Sequence, residues 1–422
     1  MFFICGNNIA QGTWTNYTKD DVLLSHRIQT VLEDSRGNMW FGTYRGLHKY
    51  DGENWMTFTK QDGLAKNSVT FLFEDSKGTI WIGTALGLSK FEDGKLSLLG
   101  KKDGFPKNHP VNYIFEDSKQ RLWVGSVKLF LFDNDKWTIY SSRDDAIFKG
   151  NVFLITEDPN GAIWVTCGAQ GGISSEINIG GISRFYDESW YVFTEKDGLP
   201  AAGRCIFKTH LFDKKGNAWF GSCRIKSMAA GFKGIGSLMK YDGKSWTYYS
   251  DKDDLIDDCV NIILEDSKGN IWVGTHRGVS VYNGSSWRSY SQDDTLSDNQ
   301  IRAIEEDSKG NIWIGTENGL CVYDGTKWDK YTEGNGLADK FISAIYEDKN
   351  GNIWVGTGDA LTKGGGVSKF DGNSWTTYTE EDKLVGKLVY KIEEDAKGNL
   401  WFITLNGISK YTPETSLLRS DL

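Results

Sequence analysis

The chain has 422 residues, and 48 lysines and arginines against 57 aspartates and glutamates give it a formal net charge of −9. Charged residues make up 25% of it and apolar or aromatic residues 39%, which suits a folded protein and excludes bulk disorder. The acidic balance argues against nucleic acid as a partner, because binding phosphates requires a basic face, and no apolar run approaches the roughly 18 residues of a membrane span.

The chain begins with a short tail, which we assign to residues 1–12. Its first residues, Met1 to Gly6, are too few for a signal peptide. They resemble the end of a bacterial lipoprotein signal with Cys5 as the lipid-bearing residue, although Ile4 stands where such signals have a small residue. A misplaced start codon would explain the short length. Residues 13–412 are the predicted repeat domain, and 413–422 a second tail.

One phrase recurs throughout the repeat domain, and Glu265–Thr275 show it as Glu-Asp-Ser-Lys-Gly-Asn-Ile-Trp-Val-Gly-Thr. Repetition at a fixed period of about 40 residues is typical of propellers and related arrays. Five of the eight spacings between its tryptophans are 41 or 42 residues. The nine tryptophans are Trp40, Trp81, Trp123, Trp164, Trp219, Trp272, Trp313, Trp354 and Trp401.

A second tryptophan follows in most repeats, usually after Tyr-Asp-Gly or Phe-Asp-Gly. These are Trp55, Trp137, Trp190, Trp246, Trp287, Trp328 and Trp375. Repeat two has Leu96 at this place, and repeat nine ends at Tyr411 without one. The remaining tryptophan, Trp14, precedes the first repeat in a Thr-Trp-Thr-Asn-Tyr segment that matches the sequence around Trp375. We therefore predict that Trp14 supplies the second tryptophan of repeat nine.

Repeat seven shows the structure that one repeat predicts. Its first strand begins at Ile301 and ends at Glu306-Asp307, and the turn Asp307–Gly310 has aspartate and glycine at the places that a tight turn favours. Three further strands follow at Asn311–Thr316, Leu320–Asp324 and Trp328–Thr332. Four antiparallel strands in about 41 residues form one propeller blade, which must stack on others to bury its faces.

The predicted fold is therefore all-β: a single nine-bladed β-propeller of four-stranded antiparallel blades. We expect the N-terminal strand Trp14–Thr18 to pair with Gly407–Tyr411 as the outermost strand of the last blade. This closure protects two sheet edges that would otherwise be open to aggregation.

The recurring phrase resembles the two-component regulator propeller repeat, which is known from extracytoplasmic sensor regions of bacterial hybrid histidine kinases, often in carbohydrate-responsive systems. The resemblance covers roughly residues 13–412, and it is strongest around Trp40, Trp272, Trp313 and Trp354. It implies a sensing role in the periplasm or outside the cell. About eleven residues follow Tyr411, so we expect no kinase or DNA-binding part in this chain and no direct phosphotransfer; a separate sensor kinase is a candidate partner.

The residue patterns do not indicate an enzyme, a cofactor or a sequence-local metal site. None of the five histidines has zincin spacing and there is no Cys-x-x-Cys pair, although a site assembled across blades stays open. The recurring Glu-Asp pairs, eight among the nine copies of this turn, are better explained by the turn itself than by acid–base chemistry. Six cysteines do not predict a disulfide scaffold. Cys167 and Cys223 lie just after the second strands of adjacent blades, where they could come near each other; buried free thiols are the preferred alternative.

Specificity is expected on one face of the ring. The turn between the first two strands and the turn between the last two are monotonous, whereas the loops on the opposite face differ from blade to blade, with insertions at 168–181, 223–236 and 358–366. The candidate ligand contacts there are His26, Arg27, Tyr44, Arg45, Asn67, His109, Lys128, Arg204, His276, Arg277, Asn299, Asn318, Lys340, Lys387 and Asn406.

Many of these side chains are cationic, which favours an anionic or hydroxyl-rich ligand such as an acidic oligosaccharide. The alternative is that these loops are polar only because they are exposed to solvent. The preferred function is an extracytoplasmic binding or sensing module. A protein-binding scaffold or surface lipoprotein is the second hypothesis. A glycan hydrolase or lyase is the third, and it would need His26, His109 and Asp298 to converge.

Overall fold

The computed structural model describes residues 12–106, 108–141, 150–168, 181–199, 205–224, 237–251, 255–293, 295–359 and 364–414. Within these residues the chain forms 36 strands and three short 3-10 helices at Lys101–Asp103, Glu195–Asp197 and Glu333–Asn335. No helix among them is long and apolar enough to cross a bilayer.

The strands form nine antiparallel sheets of four, which we number as blades one to nine along the chain. Blades one to three contain β2 (Ile28–Glu33), β3 (Met39–Thr43), β4 (Leu47–Tyr50), β5 (Trp55–Phe58), β6 (Val69–Glu74), β7 (Ile80–Thr84), β8 (Gly87–Glu92), β9 (Lys95–Leu98), β10 (Tyr113–Glu116), β11 (Leu122–Gly125), β12 (Leu129–Asp133) and β13 (Lys136–Tyr140). Blades four to six contain β14 (Asn151–Glu157), β15 (Ile163–Gly168), β16 (Gly181–Tyr186), β17 (Ser189–Val192), β18 (Cys205–Phe212), β19 (Ala218–Arg224), β20 (Ser237–Tyr241), β21 (Trp246–Tyr249), β22 (Val260–Glu265), β23 (Ile271–Thr275), β24 (Val279–Tyr282) and β25 (Trp287–Tyr290). Blades seven to nine contain β26 (Ile301–Glu306), β27 (Ile312–Thr316), β28 (Gly319–Tyr323), β29 (Trp328–Tyr331), β30 (Ile342–Glu347), β31 (Ile353–Thr357), β32 (Gly366–Phe370), β33 (Trp375–Tyr378), β34 (Val389–Glu394), β35 (Leu400–Thr404) and β36 (Gly407–Thr412), together with β1 (Thr13–Tyr17).

The predicted ring closure is confirmed. The sheet of blade nine has the order β1-β36-β35-β34, so the first strand of the chain is the outermost strand of the last blade. Trp14 pairs with Tyr411 in this register. The Trp14 ring lies 5.0 Å from the Tyr411 ring and 5.1 Å from the Tyr378 ring, which places it in the aromatic cluster between blades eight and nine.

The aspartate of each Glu-Asp pair is a structural group, as the repetition predicts. In blade seven, the buried Asp307 carboxylate accepts hydrogen bonds from the Trp313 indole N–H at 2.8 Å and from the Asn311 backbone N–H at 2.8 Å. The same bond from the first tryptophan to its aspartate occurs in all nine blades. The aspartate carboxylate thus accepts hydrogen bonds from a backbone N–H of the turn and from the indole N–H of the largest core side chain, so both donors have a partner.

The glutamate of the pair connects neighbouring blades. Glu74 of blade two accepts hydrogen bonds at 2.6 Å from both the backbone N–H and the hydroxyl of Ser35 in the turn of blade one. We call this arrangement the glutamate clasp. The backbone N–H bond of the clasp joins eight of the nine pairs of adjacent blades, and the last of them runs from Ala396 of blade nine to Glu33 of blade one. Five of the eight also have the serine hydroxyl bond.

Close packing between blades also explains the glycine that follows the first tryptophan by two residues. A Cβ atom on Gly274 of blade six would lie 2.7 Å from the Ile301 side chain of blade seven, and one on Gly315 would lie 2.6 Å from that of Ile342 in blade eight. Real Cβ contacts are longer, so a larger residue at Gly274 or Gly315 would require the neighbouring blade to shift. Blades four and nine have Thr166 and Ile403 at this place.

Candidate functional site

The antiparallel order of each blade puts two kinds of connection on one face of the ring. These are the loop between the second and third strands, here the b–c loop, and the connection from the fourth strand to the first strand of the next blade, here the d–a connection. We call the face that they form the variable face. The turns with the glutamate clasps lie on the opposite face.

The b–c loops are rigid where the repeat is regular. In blade one the Thr43 hydroxyl donates to the Gly46 carbonyl at 2.8 Å and accepts from the Arg45 backbone N–H at 3.1 Å. Thr275 of blade six makes the same two bonds with Gly278 and Arg277. A rigid turn holds the outer side chain in place before a ligand arrives, which lowers the entropy cost of binding.

Several predicted contacts are exposed on this face. They are Arg27, Tyr44, Arg45, Arg277, Asn318, Lys340, Lys387 and Asn406. Lys387 and Asn406 lie together, because both side chains approach Glu380, at 3.9 Å and 3.4 Å. Among the described residues, Arg27, Arg45, Arg277 and Lys340 have no carboxylate within ion-pair distance.

Two predicted contacts serve the loops themselves. The Asn67 side-chain oxygen accepts the Lys60 backbone N–H at 2.7 Å, and Asn299 accepts the Gln292 N–H at 2.7 Å in the same way. Both asparagines therefore fix a d–a connection. Arg204 lies outside the described residues.

His109 and Lys128 come together at the junction of blades two and three. The His109 ring lies 5.5 Å from the Phe130 ring, and its Nδ1 atom is buried without a hydrogen-bond partner among the described residues. Burial, with a smaller contribution from the Lys128 ammonium group, lowers the pKa of His109. A neutral imidazole beside a cation can accept a hydrogen bond from a ligand hydroxyl.

The enzyme hypothesis finds no support in the placement of its three residues. His26, His109 and Asp298 lie on the d–a connections between blades nine and one, two and three, and six and seven. These connections are not adjacent in the ring.

His48 is a structural residue inside blade one. Its buried Nε2 atom accepts the Leu24 backbone N–H at 3.2 Å, and Nδ1 lies 3.0 Å from the Thr57 hydroxyl. Serines make the same bond to the d–a connection at the equivalent position of other blades, for example Ser89 to Ala65 at 2.9 Å. Burial lowers the pKa of His48 to about 4, so its imidazole is neutral at pH 7.

His276 belongs to a cluster that the sequence reasoning missed. Cys223 forms a disulfide with Cys259, and the Cys259 sulfur lies 3.6 Å from the His276 Nε2 atom. Of the two alternatives for Cys167 and Cys223, their proximity is wrong, and the thiol alternative holds for Cys167, which is buried and in no disulfide. Cys167 is the third residue after its tryptophan and Cys223 the fourth, and alternate residues of a strand point to opposite faces. Cys223 and His276 both stand four residues after the first tryptophan of consecutive blades, which is the signal that could have found the cluster.

The variable face also exposes apolar side chains. Leu24, Tyr44, Leu86, Val127 and Leu405 are between 39% and 51% exposed. They lie on blades nine, one, two and three, which are consecutive in the ring, whereas Arg277, Lys340 and Lys387 lie on blades six to nine. Among the described residues, the face thus has an apolar arc on blades nine, one, two and three, in which Arg27 and Arg45 also lie, and further exposed cations on blades six to nine.

Family comparison agrees with the repeat reading. The family model for the two component regulator propeller matches residues 23–45, 63–85, 254–277, 295–318 and 336–359. Each match begins in a d–a connection and ends in or just after a b–c loop, so the matched unit spans both loops of the variable face. No curated protein of described function matches the chain.

Among solved structures, the chain is similar to the extracellular domain of a putative hybrid two component system from B. thetaiotaomicron, with 20% identity and a TM-score of 0.38 over 95% of this chain and 64% of that one. The chain therefore spans less than two thirds of that relative. It is also similar to PorZ, a surface component of the type-IX secretion system of Porphyromonas gingivalis, with 15% identity, 94% and 72% coverage and a TM-score of 0.36. A virginiamycin B lyase from Staphylococcus aureus has 15% identity, 85% and 98% coverage and a TM-score of 0.40.

Proposed function

Because five segments of the chain match the family model of the two component regulator propeller, we propose that the chain is an extracytoplasmic sensing module that binds a polar or anionic ligand on its variable face. An oligosaccharide with carboxylate groups is the ligand class that fits best. A partner that receives the signal, such as a separate sensor kinase, and a lipid anchor at Cys5 belong to the same proposal.

The observation that carries the proposal is the pair of arginines on rigid b–c loops. Arg45 and Arg277 occupy the same exposed position of blades one and six, each on a threonine–glycine turn, and neither has a carboxylate partner among the described residues. A guanidinium group binds a carboxylate through two parallel hydrogen bonds, which gives both affinity and orientation. Guanidinium groups that no described carboxylate neutralises are available to a ligand.

The proposal is tested by a thermal-shift comparison of an oligogalacturonate with a neutral maltooligosaccharide of the same length. A ligand at 100 times its Kd stabilises the folded protein by roughly 2.7 kcal/mol. We expect a shift with the acidic chain that falls as salt rises. Arg45→Ala with Arg277→Ala should weaken binding by roughly tenfold or more.

The matched control removes two cations from the same blades on the opposite face. Arg36 and Lys268 are exposed residues of the Asp-Ser-x-Gly turns of blades one and six. Arg36→Ala with Lys268→Ala changes the net charge equally, so it should leave the Kd unchanged. Equal loss of affinity in both double variants would indicate a general charge effect and no site on the variable face.

The second function, a protein-binding scaffold, is favoured by the apolar arc. Exposed apolar side chains on adjacent loops are characteristic of protein interfaces. Cross-linking in the cell envelope tests it: Leu86→Asp with Val127→Asp should abolish a specific adduct, whereas Met56→Asp with Ile139→Asp, which alters exposed side chains of fourth strands, should not. An adduct that survives the first pair would argue against this function.

A further inference from the structure

Three potential metal ligands converge at the junction of blades five and six. Cys223 lies near the end of β19, Cys259 directly precedes β22, and His276 follows β23. Their two sulfur atoms and one ring nitrogen all lie within 4.8 Å of one another. The three residues come from two blades, so no short sequence motif contains all of them.

The separation of the Cys259 sulfur from the His276 ring nitrogen suits a tetrahedral site, whereas the two sulfurs share a bond in the disulfide and must move apart after reduction. Zinc lies about 2.3 Å from a cysteine sulfur and about 2.0–2.1 Å from a histidine nitrogen, so two such ligands on a tetrahedral ion stand about 3.5 Å apart. The Cys259 sulfur and the His276 Nε2 atom are 3.6 Å apart in the folded chain. Cys259 is buried and Asp257 accepts the His276 backbone N–H at 3.2 Å, so the backbone around both ligands is fixed.

We propose that Cys223, Cys259 and His276 form a binding site for a thiophilic cation, Zn²⁺ being the reference case, and that this site exists only when the two cysteines are thiols. The disulfide form excludes the metal, because sulfurs that share a bond carry no thiolate charge. A dithiol reductant supplies two electrons and two protons to break the sulfur–sulfur bond and is itself oxidised to a disulfide. The cation then displaces both thiol protons and takes the neutral imidazole nitrogen as its third ligand.

The metal form and the disulfide form would hold the same two blades together in different ways. Both connect β19 of blade five to the start of β22 in blade six. In the disulfide form His276 of the blade six b–c loop lies 3.6 Å from the Cys259 sulfur, and only the metal form would join it to both cysteines through coordinate bonds. Arg277, which carries the proposed ligand contact, is the next residue. Three protein ligands leave the fourth position of a tetrahedral ion to water or to a bound molecule.

The experiment titrates the full chain with Co²⁺, a spectroscopic substitute for Zn²⁺, after reduction with a water-soluble phosphine and its removal under argon. The phosphine takes the oxygen of one water molecule and leaves two thiols. We expect one equivalent of Co²⁺ to bind, with a thiolate-to-metal charge-transfer band and the visible bands of tetrahedral cobalt, and Zn²⁺ to displace it. The unreduced chain should show neither band.

Variants separate the site from other thiols. His276→Ala and Cys223→Ser should each weaken binding by ~100-fold or more, since losing even an outer partner of a metal ligand costs about 10–100-fold. Cys321→Ser is the matched control, because Cys321 is a buried cysteine of blade seven at the position where Ser280 and Ser368 stand in blades six and eight. It should bind Co²⁺ like the wild type.

A second measurement does not depend on whether the variants fold. In the reduced wild type, Zn²⁺ should protect Cys223 and Cys259 from iodoacetamide, as mapped by mass spectrometry of tryptic peptides, and leave the labelling of Cys321 unchanged. Equal labelling of Cys223 and Cys259 with and without Zn²⁺ would overturn the proposal. So would a reduced wild type without the cobalt bands.

Discussion

Pro159 of blade four and Phe212 of blade five line one open cavity of about 350 Å³ at the junction of their blades. They occupy the two positions that form the glutamate clasp everywhere else in the ring. Proline has no backbone N–H to donate and phenylalanine has no carboxylate to accept. Blades four and five are therefore joined without a clasp, and the sequences that follow their second strands are the longest insertions on the variable face.

A clasp engineered at this junction should stabilise the ring through coupling. We expect Phe212→Glu alone to be destabilising, because it removes a ring packed against Trp164 and gives the carboxylate no Ser N–H or hydroxyl partner. Together with Pro159→Ser it should show a favourable coupling energy of about 1 kcal/mol. Urea unfolding of the two single variants and the double variant measures this term.

The reverse experiment is the control for the clasp. Glu116→Gln weakens an existing clasp, in which Glu116 accepts the Ser76 backbone N–H at 2.7 Å and the Ser76 hydroxyl at 3.0 Å. It should lower stability by about 1 kcal/mol. A coupling energy of zero at the Pro159 junction, with a normal loss for Glu116→Gln, would show that the junction geometry does not accommodate a clasp.

Trp14 should be as important to the fold as a tryptophan within the ring. Trp14→Ala removes ring contacts with Tyr378, Phe402 and Tyr411 at 5.0–5.3 Å, and we expect a loss of about 2–4 kcal/mol. Trp375→Ala, at the same place in blade eight, is the matched comparison. If Trp14→Ala left the urea midpoint unchanged while Trp375→Ala lowered it, β1 would not close the ring in solution.

His48 should make stability depend on pH. Its pKa of about 4 in the fold lies below the usual 6.5, so the folded chain binds fewer protons there than the unfolded chain. The stabilisation is complete above pH 6.5 and is lost as pH falls from 6.5 towards 4. His48→Ser keeps an acceptor for the Leu24 N–H but has no group that titrates in this range. The free energy of unfolding of the wild type minus that of His48→Ser should therefore fall by on the order of 2–3 kcal/mol as the pH is lowered from 7 to 4. A difference in stability that is constant with pH would contradict this prediction. Burial also lowers the pKa of His210 to about 4, but His210 is present in both proteins, so its contribution cancels.

The carboxylate beneath the first tryptophan should be essential to each blade. Asp307→Ala leaves the Trp313 indole N–H and the Asn311 N–H without their acceptor in a buried turn, and we expect a loss of about 3 kcal/mol. Ser308→Ala, in the same turn but exposed, should cost about 1 kcal/mol through the clasp to Glu347 alone. If the two variants lost similar amounts of unfolding free energy, the clasp and not the buried aspartate would account for the stability of this turn.

The sequence by itself determined the blade count, the strand order and the ring closure. Each of these follows from a short-range pattern: nine copies of one turn before one tryptophan, and an orphan tryptophan at the N-terminus that completes the count. It also determined that the Glu-Asp pairs are structural. The physical reason is that the turn, the strand alternation and the core tryptophan of a blade all lie within about 41 consecutive residues.

Only the tertiary structure decided what happens between blades. The cluster of Cys223, Cys259 and His276, the clasps and their absence at Pro159, and the loop-fixing roles of Asn67 and Asn299 all depend on which side chains of separate repeats or connections meet. Because side chains alternate along a strand, Cys167 and Cys223 point to opposite faces, although their positions after the tryptophan differ by only one residue. Cys223 bonds to Cys259 of the next blade instead. Contacts between repeats are set by how the blades stack, and no single repeat contains that information.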